Sequence, residues 1–352
     1  MTPRTFSILA ILTALGIALA GYAVHNEPGY VETRGGDIVF PELNSRIDDV
    51  AKIVVQTNQR TMTMERGTQG WTLVESGGYL LQSKIVKGAI LGFSGLTYVE
   101  AKTRQSTKYH KLELQGPEKN QSKGRGVKIY TQNGDLLIDT VIGRVRYNMP
   151  GTTRDGIYLR KARDPQTWLA SGQLDVSRDP ADWLEPSIMD IKSARIKSVV
   201  IRHPDGDVVK VSKTAPTDRR FLMANIPDSK QLNYDKDPDN IATVLEEFEL
   251  ADVKQSGGLQ FEKDKTINAR FETFDGLTID IKMIKIDGTL SDDPDYWISL
   301  EANADVSSAV VRLEVEAINS HTRRWIYSIP GYKASRLNKR LSELLKDRQS
   351  DS

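Results

Sequence analysis

The chain has 352 residues, 39% hydrophobic and 27% charged. These are ordinary globular averages, and at ~150 residues per domain they predict two domains, each with its own core. Lys and Arg number 48 against 47 Asp and Glu, which argues against a nucleic-acid partner because that would favour a concentrated basic surface. Cysteine is absent, so disulfides, thiolate nucleophiles and zinc–thiolate sites are excluded.

The N-terminus sets the address. After "MTPRT", which carries Arg4, the run Phe6–Val24 has no charge. As a helix rising ~1.5 Å per residue it reaches about 28 Å, enough to cross a hydrocarbon core. Arg4 on the short flank favours a cytoplasmic N-terminus and an extracytoplasmic remainder. A cleaved signal peptide competes, since Ala18–Ala20 and Gly21–Ala23 are acceptable cleavage sites, but the run exceeds the usual apolar core of ~7–15 residues. The expectation is a single-pass transmembrane helix over 1–24 in the inner (cytoplasmic) membrane, a linker over 25–46, and a periplasmic bulk.

From Asp48 onward one pattern is written twice. "DDVAKIVVQTNQRTMTMER" (48–66) and "ARIKSVVIRHPDGDVVKVSK" (194–213) both alternate apolar and polar residues around a polar turn, the signature of a hairpin with one buried face. "GWTLVES" (70–76) and "RRFLMAN" (219–225) add a third strand, with Trp71 and Phe221 in matching places. Helical 3–4 spacing follows over Ser83–Leu96 and over Asp237–Val253, with Ser83 and Asp239 or Asn240 as N-caps. Second hairpins turn at Asn133-Gly134 and Asp275-Gly276, dipeptides suited to positive φ angles. "GIYLRK" (156–161) and "DYWISLE" (295–301) make one further strand each. The phrases "SRDPADWLEPSI" (177–188) and "SHTRRWIYSIPG" (320–331) close the two copies. The fold expected is α+β: tandem modules over 47–192 and 193–333, each an antiparallel sheet with a packed helix. A C-terminal amphipathic helix and tail over 334–352 carries Leu337, Leu341, Leu344 and Leu345.

Reactive constellations are scarce. His25, His110, His203 and His321 fall in separate elements, and neither H-x-x-H nor H-E-x-x-H spacing occurs. A hydrolase would need His110 or His321 beside a carboxylate and a nucleophile, and no G-x-S-x-G elbow supplies one. No glycine loop of the phosphate-cradling type occurs, so no cofactor is expected. The basic stretch Lys119–Lys128 reads as a solvated loop rather than a phosphate contact. Asp235, Asp237, Asp239 and Glu246 stand at positions 1, 3, 5 and 12 of a calcium-type loop, but Asn240 replaces its glycine and Pro238 stiffens it. An acidic first helical turn explains the same residues. Trp71, Trp183, Trp297 and Trp325 are either core anchors or, if exposed, the lining of a glycan- or lipid-binding groove between the modules.

The spread of apolar and aromatic positions resembles the bacterial family called domain of unknown function 4340. The likeness rests on "FPEL" (40–43) ahead of "IDDVAKIVV", on "GWTL", "LTYVEAK" (96–102), "VIGR" and "GIYLRK", and on "DWLEPSIMDIKSARIKSVVI" (182–201). It extends from the apolar run to Ser328, while the acidic segment 235–239 falls outside the pattern. The resemblance implies a membrane-anchored extracytoplasmic protein, associated with ABC-transporter components of the gliding-motility type. It carries over no catalytic residue. The expected function is a non-enzymatic accessory or scaffold subunit of such a complex.

Overall fold

The computed structural model describes residue 11 and residues 13–19, 35–149, 154–287, 295–304 and 308–348. Within the apolar run, the described residues are helical and exposed. The remainder of the predicted anchor lies outside the described residues. No helix among those described is long and apolar enough to cross a membrane. From residue 35 on, the protein is a mixture of helix and antiparallel sheet that divides after Asp179 into two compact units.

The first unit opens with α1 (Pro41–Ser45), then β1 (Val50–Gln56), β2 (Thr61–Gly67), β3 (Gly70–Leu73), β4 (Tyr79–Leu80), α2 (Ser83–Ser94) and β5 (Thr97–Ala101). It continues through β6 (Arg125–Thr131), β7 (Leu136–Arg146), β8 (Gly156–Lys161) and β9 (Thr167–Ser171). These strands form one sheet in the order β4-β3-β2-β1-β6-β7-β8-β9-β5. Period-2 alternation buries Ile53, Val55, Met62 and Met64 on one face. Gly134 takes φ +89 in the β6–β7 turn, as its dipeptide requires. The β1–β6 pairing is bulged: Val50 faces Thr131 and Lys52 faces Tyr130, so Ala51 is the extra residue. Helix α2 buries Val86, Ala89, Ile90 and Phe93, and Phe93 meets Phe40 edge-on at 5.9 Å.

The later strands β7–β9 are buried on both faces. Their second face is covered by the β5–β6 connection, whose 3-10 turn Ser106–Leu112 delivers Tyr109. Tyr109 and Leu114 pack with Val141, Met149, Tyr158 and Leu169, and the Tyr109 hydroxyl donates to the Pro165 carbonyl at 2.6 Å. Arg160 and Arg144 lie over the Tyr109 and Tyr158 rings at 5.0 and 5.5 Å. The cover seats because Gly143 has no side chain; a Cβ there would collide with the Leu112 carbonyl.

The second unit contains β10 (Ser187–Met189), β11 (Ile196–Arg202), β12 (Val208–Ser212), β13 (Leu222–Met223), β14 (Lys230–Leu232), α3 (Asp237–Ala242), β15 (Phe248–Glu249) and β16 (Asp252–Gln255). Then come β17 (Ile267–Thr273), β18 (Leu277–Ile286), β19 (Asp295–Ala304), α4 (Ala309–Thr322), β20 (Trp325–Ile329), α5 (Gly331–Leu337), α6 (Leu341–Leu344) and β21 (Leu345–Asp347). Its main sheet runs β13-β12-β11-β17-β18-β19-β20-β16. The β11–β17 pairing is again bulged after its first pair: Ile196 faces Thr273, Ser198 faces Glu272, and Lys197 is extra. The β16–β17 connection supplies Leu259 and Phe261 to a cluster with Ile284, Trp297 and Ile326. Helix α4 is tied down by Arg195, which donates to both Glu314 oxygens at 2.9 Å and to Asp275 at 2.8 Å. The Glu314 hydrogen bond, ahead of that to Asp275, raises this guanidinium above the usual arginine range.

Several expectations are corrected. The predicted helix 237–253 stops at Ala242, because Glu247 adopts φ +42 and the chain then pairs as β15 with β10. Helix α2 is capped by Gln82 rather than Ser83, without a side-chain bond, and Asp239 and Asn240 lie inside α3. The C-terminal helix breaks at extended Arg340, which pairs with Asp205 at 2.5 Å while Leu341 N–H donates to Asp207 at 3.0 Å. Residues 180–192 fall in the second unit, where Ile191 N–H bonds the Leu245 carbonyl at 2.9 Å. Trp183 therefore precedes the second sheet. Trp325 begins β20, and the strand in the corresponding sheet position of the first unit is β9, which contains Trp168.

Gly143→Ala tests the covering loop. Lifting Leu112 off β7 is expected to cost ~1–3 kcal/mol, the range for overpacking. Urea unfolding of the variant, with proteolysis between residues 102 and 124 as a local readout, checks it.

Candidate functional site

A buried charge beside open space marks one place in the protein. Concavities of about 520, 860 and 700 Å³ occur in the first unit, but no wall of theirs holds a buried charged side chain. A cavity of about 300 Å³ in the second unit does. It forms where the end of β12, the turn that follows it, α3 and the residues ahead of β11 meet. Ser193, Lys213, Asp218, Arg219, Phe221 and Asp239 are on its wall.

Lys213 is 7% exposed. Its Nζ donates to the carbonyls of Ala194 at 3.1 Å and Pro216 at 3.4 Å, and lies 5.0 and 5.8 Å from the Phe221 and Phe274 ring centres. It forms no ion pair among the described residues. Asp218 holds the turn by accepting the Thr214 and Ala215 N–H groups at 3.0 and 2.8 Å. Asp239 accepts the Phe221 N–H at 2.7 Å, and its other oxygen is 3.9 Å from Arg220 Nε. Arg219 is exposed and makes no ion pair among the described residues.

The residues singled out in the sequence disperse. Trp71, Trp183, Trp297 and Trp325 are 4%, 1%, 3% and 8% exposed, so the groove reading loses its rings. Each Trp buries roughly 150–250 Å², about 4–6 kcal/mol gross at ~25 cal/mol per Å², which is the payload of a core anchor. Trp297 is covered by the Lys254 ammonium at 4.2 Å. Of the calcium-type set, Asp239 lies in the cavity wall, while Glu246 accepts the Ser193 N–H at 2.6 Å. Asp237 is buried at the start of α3, and Asp235 engages Arg220 only through its backbone carbonyl at 3.4 Å. Among the described residues no three acidic or His side chains are placed to hold a metal ion. His110 bonds the Thr107 carbonyl at 2.8 Å and His203 the Lys339 carbonyl at 3.1 Å; neither they nor His321 lines any of these cavities.

A second buried lysine fastens the irregular segment that follows α3. Lys333, 4% exposed, donates to the carbonyls of Thr243 at 3.4 Å and Val244 at 2.9 Å, and to that of Glu246. These carbonyls lie just past the helix end, where a cation also meets the negative end of the helix dipole. Burial, and secondarily Arg336, pushes this ammonium below the ordinary lysine range. The unfolded chain, titrating near ~10.4, therefore holds the proton more tightly than the folded one. Between the two pKa values stability must rise with pH, and below the lower one the burial penalty is fully present. Urea unfolding at pH 7 and 10 should show the wild type gaining on Lys333→Met as pH rises; parallel behaviour contradicts this.

No curated protein and no solved structure matches the chain. One family model does match, over residues 71–269, from Trp71 on β3 to the middle of β17. It thus takes in the α2 helix, the covered strands β7–β9, Trp183 and the whole Lys213 cavity. More than half of the sequence lies in that match, and the chain belongs to the family described as Domain of unknown function (DUF4340).

Proposed function

We propose that this protein is a non-enzymatic accessory or scaffold subunit of a membrane complex of the ABC-transporter type, held by the apolar run Phe6–Val24 with its bulk outside the cytoplasm. Its two units are read as copies of one module. Support for the duplication is the common strand order and the bulge at the same step of β1–β6 and β11–β17.

The observation that carries the scaffold reading is the place where the units differ. The first joins β8 to β9 through residues 162–166, whereas the second places α4 between β19 and β20. The inner side of α4 buries Val311, Asn319 and Thr322, and Asn319 clasps Ala302 through N–H and carbonyl at 2.9 and 2.8 Å. Its outer side presents Val310 and Leu313 at 75% and 66% exposure, three residues apart and hence on one stripe. Apolar side chains held outward on a firmly anchored helix suit a partner surface.

A photo-crosslinking residue at position 313 in cells is expected to trap a polytopic membrane protein of the complex. Leu313→Asp should abolish co-purification from detergent while shifting the unfolding midpoint little, as exposed substitutions do. A protein that purifies alone and yields no adduct contradicts the reading.

A further inference from the structure

We propose that the Lys213 cavity binds an amino-acid-sized zwitterion, carboxylate toward Lys213 and Arg219 and ammonium toward Asp218 and Asp239. The two buried lysines differ in how their donors are used. Lys333 spends its three N–H donors on three carbonyls, which satisfies an ammonium completely. Lys213 reaches two carbonyls rather than three and is otherwise faced by aromatic rings. One donor is left over on a side chain that lines open space. A buried cation without a counter-charge is costly, and a carboxylate supplied by a ligand removes that cost.

The rest of the wall sets the ligand's other features. Arg219 offers a free guanidinium, whose fork suits a carboxylate bidentately. Asp218 commits one oxygen to two backbone N–H groups, and Asp239 commits one to the Phe221 N–H while its other lies 3.9 Å from Arg220 Nε. They disfavour a second negative charge in so small a space, which counts against a phosphate dianion, and they favour a ligand carrying its own cation. A cavity of about 300 Å³ is at the small end of ligand pockets. Two cations and two anions around that volume complement one zwitterion. This inference is independent of the scaffold reading, since partner binding at α4 and ligand binding beside α3 can fail separately.

The test is calorimetric titration of the full-length chain in detergent with L-alanine, propionate, propylammonium and inorganic phosphate. Alanine is expected to bind, with propionate and propylammonium each about tenfold weaker for the loss of one charge-assisted contact. Arg219→Ala, at an exposed position that leaves the core intact, should weaken alanine about tenfold, and Lys213→Met should abolish the heat. No binding of alanine, binding unchanged in Arg219→Ala, or phosphate binding more tightly than alanine would each overturn the proposal.

Discussion

Each unit depends on one long-range pairing: β1 with β6 in the first, β11 with β17 in the second. The flanking hairpins are local and each turn specifies its own register. The two hairpin systems become one sheet only where β1 meets β6, or β11 meets β17, across more than sixty intervening residues. Everything that makes a core lies on either side of that seam. Met62, Met64 and Trp71 are on one flank, and Ile138, Ile142 and Leu159 on the other. The single extra residue, Ala51 or Lys197, increases the local twist there. Sliding either pairing by one residue would turn every buried side chain of the strand toward solvent.

Buried and half-buried cations recur, and those of Arg125, Lys213 and Lys333 donate to backbone carbonyls rather than to acids. Arg125 donates to Val176 and Gly143 at 2.6 and 2.8 Å, and burial lowers its pKa. Lys333 closes the end of α3, and Lys213 bridges Ala194 and Pro216. Such contacts fasten irregular segments to the sheets without a counter-ion, at the cost of desolvating the charge. The two lysines differ in how fully their donors are used, and that difference separates a fastening role from a binding one.

The sheets were legible because their signals are local. Alternation around Thr57–Arg60 and the two Asn/Asp-Gly turns place six strands without tertiary information. Helix α4 went unseen because Val310 and Leu313 face outward while Val311, Val315 and Ile318 face inward, which blurs a single stripe. The match of the two tryptophan phrases misled for a similar reason. A shared Trp and Pro looked like a shared element, whereas Trp325 sits in the strand position that Trp168 occupies in the other sheet. The signal that could have found it is order: both follow the strand that begins at Gly156 or Asp295. Lys213 left no trace at all in the sequence, since its burial is created by Phe221 and Phe274, which come from other segments.

The central claim is that two sheets, each locked at its own bulged seam, constitute the protein. Residue-resolved amide hydrogen exchange on the full chain tests it most directly. Slowest exchange should fall in two separate sets, around Ile53, Val55, Val127 and Ile129, and around Val199, Ile201, Ala269 and Phe271. A single protected set, or maximal protection at the edge strands β4 and β16, would contradict the account.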